Sequence, residues 1–345
     1  MCQTVFITGA EELVKSQLRG RDWVSPEIEW SREELETVLR VAEKLKLQHM
    51  MNEETNYLRN KTVALLFFNA SLRTRASFET GLTQLGGHGM FITPETIYSF
   101  EEVKDTAEVL SRYADGLAIR YIPRSGKYGD GNNTLKQFAK YSTVPIINME
   151  CDKFHPCQGM ADLLTIKEKF GTFNNKKFVY SWAYAPGPPK PVSVAQTDIL
   201  LATKFGMEVV LAHPPGFGLD EEILSYAKSC AKENGTKFEI IDDMASAVEG
   251  ADIVYPKSYC SWKYRQISDQ EELTHREKFK EWRMTSELMD KCKKNAIYMH
   301  CLPANRKFEV DDDVIDGPHS VVVDQAENRL HAQKALMSLI IAGLP

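Results

Sequence analysis

Short apolar runs alternate with segments of helical period along most of the chain. Val63-Ala64-Leu65-Leu66-Phe67-Phe68 is a continuous apolar run of strand length, the pattern of a strand buried on both faces. Residues 72–85 follow with helical spacing, and Gly86-Gly87 supplies a stop. His88–Ile92 then reads as strand, 102–114 as helix, Gly116–Arg120 as strand, 133–141 as helix and Val144–Met149 as strand. The rhythm resumes with strands at Phe178–Trp182, Glu208–Ala212, Phe238–Ile241, Ile253–Tyr255, Ala296–Met299 and Val321–Val323. Helices are expected over 193–205 and 220–234, and a closing helix over 327–342 could pack back on the first half.

That order predicts an α/β protein with two doubly wound parallel-sheet domains and ligands beyond the carboxyl ends of the strands. The first domain is expected over 1–153, completed by 327–345, and the second over 154–326. Two stretches break the alternation. Ser125–Asn133 is rich in Gly and Asn and reads as a surface loop. Tyr184–Pro191 is stiffer, because its four prolines favour extended conformations.

A length of 345 residues fits two domains at roughly 150 residues each. Hydrophobic content of 43% and charged content of 26% exclude a disordered or fibrous chain. A formal charge of -6 provides no basic field for nucleic acid or a membrane surface, although a local arginine cluster can still hold a small anion. No apolar stretch approaches the roughly 18 residues needed to span a bilayer. The seven cysteines are scattered and contain no C-x-x-C pair, which suits reduced thiols. The opening residues lack the pattern of a signal peptide, and a cytoplasmic location is expected.

Three segments carry candidate chemistry. Ser71-Leu72-Arg73-Thr74-Arg75 stands where the first strand meets its helix, and free N–H groups, hydroxyls and guanidinium forks there suit phosphate oxygens. Spacing alone also allows an ordinary Ser-capped helix with solvated arginines. Asp152-Lys153-Phe154-His155-Pro156-Cys157-Gln158 holds a His at a turn or helix start, where its imidazole can meet a carbonyl oxygen, beside an amide able to donate and accept. A buried histidine satisfied by backbone is the plainer reading. His300-Cys301-Leu302-Pro303 follows a strand end, with Arg306 beyond; a Cys there is commonly a small apolar filler. Arg120 closes a strand at the edge where such sheets bind ligands, or snorkels at the surface.

Taken in order, S-x-R-T-R, D-x-x-H-P-x-Q and H-C-L-P resemble the aspartate/ornithine carbamoyltransferase family, from about residue 60 to 342. Asp105-Thr106-Ala107 and Glu327-Asn328-Arg329 add to the likeness. The resemblance implies a carbamoyl-phosphate domain, an amino-acid domain and a homotrimer with active sites at subunit interfaces. It assigns Ser71, Leu72, Arg73, Thr74 and Arg75 to the phosphate, and Arg120, His155 and Gln158 to the carbamoyl oxygen and amide. Cys301, Leu302 and Arg306 would complete the site; His155, Arg120, Cys301 and Arg306 would be its catalytic members. No metal or other cofactor is expected, and carbamoyl phosphate with an amino-acid acceptor are the implied partners.

The chain departs from enzymes that use free ornithine, which carry an Asn-Asn pair after the first strand of the second domain and a later D-x-x-x-S-M-G. Here Trp182 leads into the proline-rich segment, and Tyr255-Pro256-Lys257-Ser258-Tyr259 stands at the later motif. Lysine therefore replaces the aspartate that would receive an α-ammonium, and like charges repel. These features resemble the N-acetylornithine and N-succinylornithine carbamoyltransferases and related knotted enzymes, in which later chain threads the proline-rich loop into a trefoil knot. That likeness assigns Lys257, Trp182, Cys301 and Leu302 to an α-N-blocked acceptor, as in arginine biosynthesis. The acetylornithine enzymes also have a Glu four residues before the His, where Cys151 stands, and a Lys where Glu309 stands. Their long Trp-bearing loop does not fit between Thr93 and Asp105. An alternative acceptor is ornithine itself, another small amine or a ureido compound. A dinucleotide oxidoreductase would need G-x-G-x-x-G after the first strand, and Asn69–Thr74 has no glycine. A non-catalytic relative is disfavoured by the intact motifs.

Overall fold

The computed structural model describes residues 17–93, 101–123, 126–263 and 268–343. They fall into two compact units. The first comprises residues up to Tyr121, Asn132–Met149 and Arg329 onward; the second comprises Ile122–Gly131 and Glu150–Asn328.

In the first unit, β1 (Thr62–Phe67), β2 (His88–Ile92), β3 (Gly116–Tyr121) and β4 (Ile146–Cys151) form a sheet of order β2-β1-β3-β4. β1 pairs in parallel with both β2 and β3. Val63–Leu66 are fully buried, as the apolar run predicts. The longer helices are α1 (Arg32–Met50), α2 (Leu72–Gln84), α3 (Val103–Tyr113) and α4 (Asp130–Tyr141). Ser31 and Glu34 close a reciprocal capping box at the head of α1.

The second unit carries β5 (Lys177–Trp182), β6 (Glu208–Ala212), β7 (Phe238–Ile241), β8 (Ile253–Lys257) and β9 (Ile297–Tyr298), ordered β7-β6-β5-β8-β9 and paired in parallel. Its longer helices are α5 (Pro156–Phe170), α6 (Ser193–Lys204), α7 (Glu221–Glu233) and α8 (Asp269–Arg276). Every residue of α6 is buried, so it is a core helix. The last long helix, α9 (Val322–Met337), begins in the second unit and ends in the first. Two parallel-sheet α/β units are therefore the architecture. No helix among the described residues is long and apolar enough to cross a membrane.

Three local expectations need correction. Val321–Val323 is no strand: α9 starts at Val322, well before residue 327. A β-branched triplet mimics a strand, but here only Ser320 bridges to Tyr298, and Val321 N–H continues that contact to the Tyr298 carbonyl. The loop expected over Ser125–Asn133 ends early, because α4 begins at Asp130. Asp130 Oδ2 accepts from Lys127 N–H, and Gly129 N–H donates to Asp152 Oδ2 at 2.7 Å, so the turn is tied down on both sides. Ala296–Met299 shortens to Ile297–Tyr298.

Candidate active site

Each sheet reverses its strand order beside its first strand, between β1 and β3 and between β5 and β8, and such reversals open a crevice at the carboxyl edge. The candidate residues gather at these two edges.

In the first unit Phe67 pairs in register with Arg120, and Phe68 N–H donates to the Arg120 carbonyl at 3.0 Å. The turn from β1 into α2 thus starts one strand away from Arg120. Ser71 precedes α2 in extended backbone and makes no side-chain capping bond. Its hydroxyl is therefore not acting as the ordinary N-cap that the spacing allowed. Arg73 is half-buried. Thr74 is buried, its Oγ1 accepting from Arg329 Nη2 at 3.1 Å, so this hydroxyl is fixed at the head of the helix. Leu72 is exposed. Arg75 turns along the helix: Nε donates to Glu79 Oε1 at 2.9 Å and the guanidinium lies 3.6 Å from the centre of the Phe91 ring. Its fork is engaged on the side of the helix.

In the second unit His155 occupies the N-cap position of α5, with Pro156 fixing the first helical residue. His155 N–H donates to Thr197 Oγ1 at 2.9 Å. Its Nε2 lies 3.4 Å from Glu150 Oε2, and Glu150 Oε1 accepts from Ser193 Oγ at 2.8 Å. A glutamate is thus present beside His155 although Cys151 stands four residues before it. The chain places the acid five residues before, at the end of β4. Gln158 is buried and donates its amide to Asp162 Oδ1 at 2.8 Å.

At the other sheet edge Trp182 and Lys257 are register partners at the ends of β5 and β8. Trp182 is fully buried among Phe217, Phe279 and Trp282, and its indole N–H donates to the Tyr259 carbonyl at 2.8 Å. It anchors the loop after β8, so any part in acceptor recognition runs through that loop. Lys257 is 6% exposed, with Nζ donating to the Ser258 carbonyl at 3.0 Å.

Beside it lies Glu309, fully buried. Oε1 accepts from Ser258 N–H at 2.6 Å and faces His300 Nε2 at 3.4 Å; Oε2 accepts from Lys190 Nζ at 2.9 Å and Asn305 N–H at 2.5 Å. Burial pushes this carboxyl up, but the His300 hydrogen bond and the charges of Lys190 and Lys257 outweigh it and hold it well below the usual range. Leu302 N–H donates to His300 Nδ1 at 2.9 Å, which leaves Nε2 as the protonated nitrogen of a neutral imidazole. Burial lowers the His300 pKa, in keeping with that tautomer. Burial, then the neighbouring Lys257, lower that of Lys190.

Burial raises the Cys301 thiol, with Lys257 opposing it, so the sulfur stays protonated and is no thiolate nucleophile. Leu302 has φ 55°, a left-handed conformation unusual for leucine, ahead of a cis bond to Pro303. Arg306 is half-exposed, with its fork on Asp316 at 2.6 Å and on Asp312 at 3.1 Å. The structure thus groups Lys257 with Lys190, Glu309, His300 and Cys301, and directs Arg75 and Arg306 to surface carboxylates. Sequence reasoning passed over Glu150 and Lys190. Glu150 was discoverable by allowing the His-Pro turn one extra residue; Lys190 carried no signal apart from its place in the proline-rich segment.

Residues 21–168 match the carbamoyl-P binding domain of aspartate/ornithine carbamoyltransferases, and 190–340 match the Asp/Orn binding domain. An ornithine carbamoyltransferase from Thermococcus kodakarensis is 40% identical over 95% of this chain and 98% of its own. The solved ornithine carbamoyltransferase of Pyrococcus furiosus is 37% identical over 95% of this chain and 99% of its own, with a TM-score of 0.84. An acetylornithine transcarbamylase solved with acetylcitrulline is 35% identical over 93% and 99%, with a TM-score of 0.86.

Proposed function

The chain belongs to the aspartate/ornithine carbamoyltransferase family, and on that premise we propose that it transfers the carbamoyl group to the side-chain amine of an α-N-blocked, ornithine-like acceptor. The carrying observation is the charge at the end of β8. Lys190 and Lys257 flank the single ionised Glu309, and His300 is neutral, so the cluster keeps one net positive charge. A buried surplus cation suits a substrate carboxylate and repels a free α-ammonium.

In this reading Ser71, Arg73 and Thr74 take the phosphate oxygens, and Arg75 joins them by releasing Glu79. Arg120 and His155 meet the carbamoyl oxygen, while Gln158 and the main chain at Cys301 and Leu302 meet the carbamoyl amide. Arg306 reaches substrate by releasing Asp316. The neutral amine attacks the carbamoyl carbon, the new C–N bond forms, and the bond to the phosphate oxygen breaks. The amine proton leaves with the phosphate. Negative charge grows on the carbamoyl oxygen and then on the departing phosphate, and fixed donors stabilise both. The same reading carries a homotrimer, a cytoplasmic enzyme and a trefoil knot around Pro186–Pro191. The last is supported by later chain bonded along that segment, with Cys260 N–H on the Lys190 carbonyl and Tyr184 N–H on the Trp282 carbonyl.

The names of the 40%-identical relatives favour a second reading, free ornithine as acceptor. Competition kinetics with ornithine and N-acetylornithine decides between them. A charged contact is worth about 1.5–3 kcal/mol, so the wild type should prefer the blocked acceptor by roughly ten- to hundredfold, and Lys257→Asp should narrow that gap. Equal or better use of ornithine by the wild type establishes the second reading.

A further inference from the structure

Glu309 touches three of the loops at this edge of the second sheet. Lys190 comes from the proline-rich segment, Ser258 from the turn after β8, and His300 and Asn305 from the segment around Leu302. Its two oxygens are therefore anchored on three separate stretches of chain, at full burial. We propose that Glu309 is a specificity-determining positioning residue: by binding Lys190 and locking these loops, it leaves Lys257 as the cation for an acceptor with one carboxylate at that end. This rests on the blocked-acceptor reading and narrows it to a monoanionic end.

Both lysines are cations near one another, and after burial it is the Lys257 charge that disfavours protonation of Lys190. Glu309 cancels one of them through a direct 2.9 Å contact to Lys190. Lys257 has no such contact with the glutamate; its bond at 3.0 Å goes to a neutral carbonyl, and an ammonium carries three donors. A second substrate carboxylate would meet the Glu309 charge with Lys190 already engaged. Neutralising Glu309 releases Lys190 and makes the pocket fit for a dianion.

Glu309→Gln keeps the shape and an acceptor oxygen while removing the charge. Steady-state kinetics should show the ratio of kcat/KM for N-succinylornithine over N-acetylornithine rising at least tenfold. Lys190→Met added to Glu309→Gln should return the ratio toward that of the wild type. Calorimetry in the presence of phosphate, with N-acetylglycine and N-succinylglycine as mono- and dianionic probes, reads the same count without turnover. It applies even where neither ornithine derivative is carbamoylated, an outcome that would remove the acceptor assignment alone. A Glu309→Gln protein whose mono-to-dianion preference equals that of the wild type overturns the proposal. Should Glu309→Gln not fold, Lys190→Met in the wild-type background serves. It leaves Glu309 facing Lys257 and should weaken the monoanionic probe at least tenfold; unchanged binding overturns the proposal.

Discussion

In the first unit the edge proposed for phosphate rests on one short stretch, Ser71–Arg75, with Arg120 one strand over. In the second, the corresponding edge is assembled from Lys190, Lys257, Ser258, His300 and Glu309, and the Lys190–Glu309 contact spans 119 residues of sequence. A phosphate is a compact anion that a helix start and adjacent arginines can meet. An acceptor is larger and must be distinguished from close analogues, which takes loops brought together by folding. The first arrangement travels as a motif. The second exists only as a folded object, and it depends on buried ions to hold its shape.

The most damaging test of that dependence is Arg276→Met. Arg276 donates to both Glu272 oxygens at 2.6 and 2.7 Å and to the Ala185 carbonyl at 3.0 Å, and both side chains are 1% exposed. Removing it leaves Glu272 buried without its cation and the proline-rich segment without its brace. Destabilisation of about 3–5 kcal/mol is expected in urea unfolding. A loss below 1 kcal/mol would show that the loops at this edge stand on packing alone.

His155 lies with the second unit but is read with the carbamoyl group, so it tests where the comparison divides. His155→Ala should lower kcat by about 10²–10³, the cost of a missing donor to a developing oxyanion, and His155→Asn should retain much more. Equal losses would point to proton transfer or to structure. Arg73→Ala should weaken carbamoyl phosphate in calorimetry by about 1.5–3 kcal/mol, with no change in acceptor preference. Unchanged affinity would return the motif to an ordinary helix start.

The smallest effects are in pH: stability should rise with pH in both units, but in an acid window for one and an alkaline window for the other. The Glu309 carboxyl lies below its ordinary 4.5 in the folded state, so its stabilisation is complete above that value and fades as pH falls toward the folded pKa. Glu309→Gln should flatten the acid side of the stability profile. Lys334, in the first unit, is buried against Gln84, and burial lowers its ammonium from 10.5 to about 8. The unfolded chain then holds more protons between those values, so stability rises with pH there, by at most roughly 1.4 kcal/mol per unit. Lys334→Met should remove that rise. Urea midpoints across each window measure both, and parallel profiles for variant and wild type would dissolve the contrast.

Much of the fold was legible because its strands are short apolar runs between clear helix signals. His88–Ile92, Glu208–Ala212 and Phe238–Ile241 match residue for residue. α1 went unread although Ser31-x-x-Glu34 announces it, and Val321–Val323 misled because three β-branched residues look alike at a strand and at a helix start. For the site, Ser71–Arg75 and His155 were visible as local spacing. Glu309 was visible only as a residue out of pattern, since its meaning lies in partners at Lys190 and Ser258 that no window of sequence contains.

The course of α9 has a consequence for the order in which the protein is made. The first unit is finished by the far end of the chain: Gly20 N–H donates to the Ile340 carbonyl, Lys334 Nζ to Gln84 Oε1, and Arg329 to Thr74 Oγ1. A chain growing on the ribosome exposes β1 to β4 and then builds the whole second unit before Arg329 emerges. Throughout that interval α2 lacks Leu330, Lys334 and Met337 against Gly81, and the apolar surface they cover is open to nascent-chain chaperones. The turn at Thr74 is the earliest candidate site to leave the ribosome and among the last to be completed.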